Sequence, residues 1–82
     1  MYYVYLLLSE EGGKYIGYTC DLRRRVKEHQ RGENRYTAQR GRGWKLIYYE
    51  AYPTKEMALK RERTLKKNGS MRVNLYRRLN LL

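Results

Sequence analysis

Tyr2 to Leu8 is β-branched, aromatic and leucine-rich, Ser9-Glu10-Glu11-Gly12-Gly13 is turn chemistry, and Lys14 to Tyr18 resumes a strand pattern. The fold is therefore predicted to begin with a β-hairpin. Side chains alternate along a strand, so Tyr3, Tyr5 and Leu7 share one face, and Tyr15 and Gly17 share a face of the partner strand. In an aligned register Tyr5 and Tyr15 become neighbours. Gly17 adds no side chain there and is expected to leave room for a ligand against the backbone.

Asp21 is a suitable N-cap for a helix running to about Gln30, with Gly32 ending it. At roughly 100° per residue, Leu22, Arg25, Val26 and His29 fall on one sheet-facing stripe, while Arg23, Arg24 and Lys27 face water. An arginine aimed at the core must meet an anion. Glu33 to Gly43 is polar and cationic, ends in Arg40-Gly41-Arg42-Gly43, and reads as a loop with a short helical piece around Tyr36-Thr37. Trp44 to Tyr52 is the third strand, closed by Pro53. Thr54 caps a helix running to about Asn68, where Gly69 is expected to stop it; Glu62 borders its buried stripe of Ala58 and Leu65. Ser70 is the expected cap of a last helix with Met71, Leu75, Leu79 and Leu82 on its apolar side. The predicted architecture is one α/β domain over residues 1–82, a three-stranded, mainly antiparallel sheet flanked by helices in the order β-β-α-β-α-α.

Composition narrows the function. With 82 residues, 19 Lys+Arg against 8 Asp+Glu and a net charge of +11, the chain carries an electrostatic footprint for a polyanion, nucleic acid first among them. Residues 1–20 hold one lysine against two glutamates, so the cationic surface lies beyond the first hairpin. A lone Cys20 closes no intramolecular disulfide, and one histidine forms no His/Cys cluster for structural zinc, which points to a reducing, cytoplasmic setting. The first apolar run is far shorter than the roughly 20 residues of a membrane span and no cationic segment precedes it, so neither a span nor a signal peptide is expected. Asp21 is the only aspartate and His29 the only histidine, which supplies neither a carboxylate-rich two-metal centre nor a histidine pair. Ten tyrosines accompany no phenylalanine; Tyr48, Tyr49, Tyr52 and Tyr76 read as packing.

Five positions in order, Tyr3-Val4-Tyr5, Tyr15-Ile16-Gly17, Arg25 ten residues after Tyr15, His29 one turn later and Glu62 in Ala58-Leu59-Lys60-Arg61-Glu62, resemble the GIY-YIG nuclease superfamily. Tyr36-Thr37 and Leu46-Ile47-Tyr48-Tyr49-Glu50 look like its small stand-alone bacterial branch, similar to the endonuclease domain of the bacterial excision-repair nuclease. The resemblance implies metal-dependent hydrolysis of a phosphodiester. Tyr5 or Tyr15, with its phenol acidified by nearby cations from a starting pKa near 10, would help to deprotonate water. Glu62 would hold one Mg²⁺ or Mn²⁺, Arg25 would stabilise the transition-state charge, and His29 would orient water or share the proton. Tyr3 replaces the glycine of the first motif, Tyr18 stands where relatives often carry lysine, and the late asparagine found near the metal in many relatives could be Asn68 or Asn74.

Tyr18, Arg24, Thr37, Arg40, Arg42, Arg61, Lys66, Lys67 and Arg72 are the expected nucleic-acid contacts, the cations among them giving affinity for phosphates rather than sequence. Plain structural roles are open to the same residues: hairpin packing for Tyr5 and Tyr15, pairing of Arg25 with Glu28 or Glu50, and pairing of Glu62 with Lys66. The expected activity is a structure-selective DNA endonuclease in repair or recombination. A catalytically silent binding module for DNA or RNA, and an accessory protein docked on a repair complex or ribosome, are the other readings.

Overall fold

The computed structural model describes residues Met1–Leu82. Strand β1 (Tyr2–Leu8) pairs antiparallel with β2 (Lys14–Thr19) across the expected turn, with Tyr5 opposite Gly17 and Leu7 opposite Tyr15. Strand β3 (Lys45–Tyr52) adds antiparallel to the other edge of β1, giving the order β2-β1-β3. As the middle strand, β1 is covered on both faces, and Val4, Tyr5, Leu6 and Leu7 are all buried. Helix α1 (Leu22–Gln30) and the short α2 (Arg35–Arg40) precede β3; α3 (Lys55–Lys67) and α4 (Gly69–Arg78) follow it. The sheet and its flanking helices are those expected, with the helical piece around Tyr36-Thr37 realised as α2. No helix is long and apolar enough to cross a membrane.

Alternation along β1 feeds two separate cores. Val4 and Leu6 join Ile16, Ala58, Leu65 and Leu75 under α3 and α4. Tyr5 and Leu7 join Trp44, with Leu22, Val26, Tyr15 and Leu46 packed around them, under α1. A β-bulge serves this division: Leu6 faces Tyr48 while Leu7 faces Leu46, so Ile47 has no partner on β1. The extra residue lets Ile47 and Tyr48 both pack on the first core while Leu46 stays with the second.

Side-chain caps set the helix starts. Asp21 accepts the amide of Arg24 at 3.2 Å, Asn34 that of Thr37 at 3.1 Å, and Thr54 that of Met57 at 3.2 Å. At the last junction the sequence expectation fails. Asn68, with extended backbone, ends α3 and caps α4 by accepting the amide of Met71 at 3.2 Å, while Gly69 and Ser70 lie inside the first turn of α4. An Asn side chain caps as well as Ser, and leaving helical geometry at Asn68 needs no glycine. The apolar side of α4 also narrows: Leu75 is buried and Leu79 packs on the core, but Met71 and Leu82 are exposed.

One polar cluster crosses from β3 to α3. Tyr48 and Tyr52 donate their hydroxyls to the Glu50 carboxylate, and Arg61 donates from Nε at 2.9 Å and Nη2 at 3.1 Å. Burial opposes ionisation of Glu50, but the hydrogen bonds from Arg61, Tyr48 and Tyr52 outweigh it and hold its carboxyl below the usual range. Tyr48, Tyr52 and Tyr76 pack on the first core as expected. Tyr49 does not: it is exposed, meeting Tyr3 edge-on with ring centroids 6.0 Å apart. Removing Arg61 strands a largely buried carboxylate, so Arg61→Ala is expected to cost about 2–3 kcal/mol in urea unfolding. Arg61→Lys should recover only part of this, because an ammonium cannot make the two-pronged contact. Wild-type stability in Arg61→Ala would show the pair to be dispensable.

Candidate active site

The side chain of Tyr5 crosses to β2 and ends over Gly17, where a Cβ would collide with the phenol oxygen. The space expected for a ligand is thus occupied by Tyr5 itself, because Gly17, rather than Tyr15, is directly opposite it. Tyr15 lies on the diagonal, with ring centroids 6.2 Å apart. Such a buried hydroxyl needs a partner, and it has His29 Nε2 at 2.8 Å. His29 is 2% exposed and its Nδ1 lies 2.8 Å from the Thr37 hydroxyl. Thr37 Oγ1 in turn lies 3.4 Å from both the carbonyl and the side-chain oxygen of Asn34.

The proton directions follow from the environment. Burial, with the nearby Tyr15 adding to it, pushes the Tyr5 phenol well above its ordinary pKa despite the opposing Arg25 charge. The cations expected to acidify Tyr5 are outweighed by desolvation. Burial, and then the like charge of Arg25, push His29 below its ordinary value. A protonated phenol beside a neutral imidazole assigns the chain: Tyr5 donates to Nε2, Nδ1–H donates to Thr37, and Thr37 donates to Asn34.

Tyr15 is the half-exposed member of the group. Its ring meets His29 at 5.1 Å, Tyr36 at 5.6 Å and Trp44 at 6.5 Å. Lys66 Nζ lies 5.6 Å from the Tyr15 centroid and 3.1 Å from Glu62 Oε2, so α3 brings Glu62 to the same region. Arg25 stands beside Tyr5 and pairs with Glu28 at 3.1 Å, as does Arg24. These i,i+3 and i,i+4 pairs are partly exposed, each worth about 0.3–0.5 kcal/mol, so an incoming phosphate could displace them at little cost.

No three of the His, Cys, Asp and Glu side chains gather anywhere in the fold. Glu62 alone still suits a hard divalent ion, since Mg²⁺ keeps its waters and binds through one or two carboxylates plus substrate phosphate oxygens. Its present partner is the Lys66 ammonium, 3.1 Å from Oε2.

The other sequence-predicted residues divide. Arg24, Arg40, Arg42 and Lys67 are exposed; Lys66 and Arg72 lie at the mouth of the site beside Tyr15. Three depart from expectation. Thr37 is fully buried behind His29, too deep to meet nucleic acid. Arg61 is taken by Glu50 on the far side of β3. Tyr18 packs against the α3-side core, because alternation turns it away from Tyr15 and Gly17. His29, with both nitrogens engaged and its ring buried, holds Tyr5 rather than a water. Asn68 is occupied as a helix cap, whereas Asn74 lines a surface cleft with Arg61, Arg77 and Arg78. Sequence reasoning missed Asn34 and Trp44, whose Nε1 donates to the Thr37 carbonyl at 3.0 Å. The cap spacing Asn34-x-x-Thr37 was the available signal.

A tyrosine-bearing hairpin whose phenols meet an arginine and a histidine from the next helix defines a class: the chain belongs to the GIY-YIG family, and the model of the GIY-YIG catalytic domain matches residues 1–80. This is a nuclease family. Within it the chain is similar to small UPF0213 proteins. It is 43% identical over 67 residues to UPF0213 protein BH0048 of Halalkalibacterium halodurans, covering 79% of this chain and 69% of that one. It is 42% identical over 66 residues to a UPF0213 protein of Staphylococcus aureus, covering 79% of each. The solution NMR structure of the UPF0213 protein BH0048 from Bacillus halodurans superposes with a TM-score of 0.52 at 39% identity, over 92% of this chain and 85% of that one.

Gly17→Ala is expected to force the Tyr5 ring off His29, costing about 1–3 kcal/mol. Chemical denaturation with tyrosine and imidazole NMR checks this, and an unshifted His29 spectrum would contradict the packing. His29 also makes a pH signature. Its folded pKa lies below the unfolded 6.5, so the unfolded chain binds more protons and stability is full above about pH 6.5. Below that pH stability should fall, by up to about 1.4 kcal/mol per pH unit, until the folded pKa is passed. Urea midpoints from pH 8 to 5 test this, and His29→Gln should remove that component.

Proposed function

We propose that this domain is a metal-dependent endonuclease hydrolysing DNA phosphodiester bonds, selective for nucleic-acid structure rather than sequence and serving repair or recombination. The observation that carries the reading is the meeting of Tyr5, Tyr15, Arg25 and His29 near the Glu62 carboxylate on a +11 chain. Burial keeps the Tyr5 proton in place, so Tyr15, half-exposed, is the phenol that exchanges a proton with the attacking water. A new bond forms from that water to phosphorus as the bond to the leaving sugar oxygen breaks; the water proton passes to the Tyr15 oxygen while the phenol gives its own proton to solvent, and the departing oxygen takes up a proton from solvent.

Arg25 leaves Glu28 to meet the phosphate oxygens, matching their geometry with two donors. Glu62 would hold the one Mg²⁺ or Mn²⁺, which when bound supplies charge to the phosphate oxygens. Tyr5 and His29 keep Tyr15 and Arg25 in position. Arg24, Arg40, Arg42, Lys67 and Arg72 give the salt-sensitive grip on the backbone. The domain of residues 1–82 works as one unit, and its unpaired Cys20 suits the reducing cytoplasm.

Cleavage of matched duplex, branched and single-stranded DNA and RNA with Mg²⁺ or Mn²⁺ tests the proposal. Glu62→Ala is expected to abolish metal-stimulated cutting with binding retained, and Arg25→Ala to lower turnover about 100- to 1000-fold. Tight, salt-sensitive binding by the wild type without cutting in either metal would instead assign a silent binding module.

A further inference from the structure

Beside Tyr15 opens a pocket of about 450 Å³, lined by Lys14, Tyr15, Tyr36, Lys66, Arg72 and Tyr76. Its size is within the range of small-molecule sites, and none of its lining residues is acidic. Apart from the buried Ile16, two kinds of group line it. The cations sit against rings or are fixed in place: Lys14 Nζ is 5.4 Å from the Tyr76 centroid, Lys66 Nζ is 5.6 Å from that of Tyr15, and Arg72 Nη1 donates to the carbonyls of Leu65 at 3.0 Å and Lys66 at 2.8 Å. The aromatics include Tyr36, which is 52% exposed and stacked with the Arg40 guanidinium at 3.5 Å.

We propose that this pocket receives one unpaired nucleobase of a DNA or RNA strand, stacked against Tyr36 and Tyr76, with the flanking phosphates on Lys14, Lys66 and Arg72. Phosphates alone would need the cations but not the exposed ring of Tyr36 in the pocket wall. Duplex bases are stacked on each other and cannot enter a concave site, whereas an unpaired base offers its π-face and edge. Tyr15 belongs to both this pocket and the catalytic group, so the bond cut adjoins the unpaired nucleotide. Placement of the cut rests on the nuclease reading; binding of the base does not.

The test uses 2-aminopurine placed in single-stranded DNA and RNA, as one bulged base in a duplex, and in the matched duplex, titrated with the whole protein in EDTA. Quenching and tight binding are expected for the single strands and the bulge, but not for the matched duplex. Tyr36→Ala should weaken binding of the single strands and the bulge about tenfold and leave the matched duplex unchanged, while Tyr36→Phe should bind like wild type. Equal quenching of bulged and matched duplex by the wild type would overturn the proposal whatever the variants do. So would an equal loss on all substrates in Tyr36→Ala. Binding of adenosine monophosphate as tightly as the oligonucleotides would assign the pocket to free nucleotides and overturn it as well. Cleavage in Mg²⁺ is scored separately: base selectivity without cutting would sink the nuclease reading alone, and cutting without base selectivity would sink the pocket alone.

Discussion

A phenol buried in the middle strand of a small sheet sets the terms for everything around it. The hydroxyl of Tyr5 has no route to bulk water, and leaving such a group unpaired costs about 1–3 kcal/mol, a large part of what holds together a domain of this size. Its partner must come from another element. His29 supplies it, which fixes how α1 lies over the sheet; Thr37 completes the imidazole, which fixes α2; Asn34 completes Thr37 and caps the helix that carries it. One hydrogen-bond chain thereby ties β1, α1 and α2, and requires a residue without a side chain at position 17.

The opposite face of the sheet is organised differently. There an apolar core does most of the holding, and a single charged cluster fixes the angle at which α3 meets β3. Arg61 is locked to Glu50, while its neighbour Glu62 is tied only to Lys66 and lies towards Tyr15. Adjacent residues on one helix thus have opposite duties. The first is immobilised against the sheet, and its anchoring sets the rotation that keeps the second available. The candidate site straddles the β2 edge, drawing rings from one face and a carboxylate from the other.

Local chemistry was legible in the sequence; long-range pairing was not. The hairpin, the Asp21 and Thr54 caps and the α1 stripe of Leu22, Arg25, Val26 and His29 depend on near neighbours, and all stand in the structure. Thr37 looked like a surface contact because its loop is cationic, and only the arrival of His29 eight residues upstream makes it a buried acceptor. Arg61 looked free because its partner lies across the sheet on β3. Counting cations predicted an acidified Tyr5, but a count contains no burial, and burial is the larger effect. The register hid the use of Gly17: an absent side chain is visible in a sequence, whereas the group that fills its place is not. At Asn68 two caps competed, and the earlier one won because its side chain already reached the third amide of α4.

The placement of β3 has a consequence for how the chain folds. Its partner is β1, although the hairpin, α1 and α2 intervene in sequence, so this pairing closes a long loop while β1 with β2 closes a short one. Loop entropy favours the hairpin first and delays the strand that carries Trp44's neighbours. Until β3 docks, the second edge of β1 is bare and the indole that anchors α2 has not yet been brought in. The indole cover over Tyr15 and the Thr37 carbonyl is therefore laid down with β3, after the hairpin that already holds the tyrosines of both motifs.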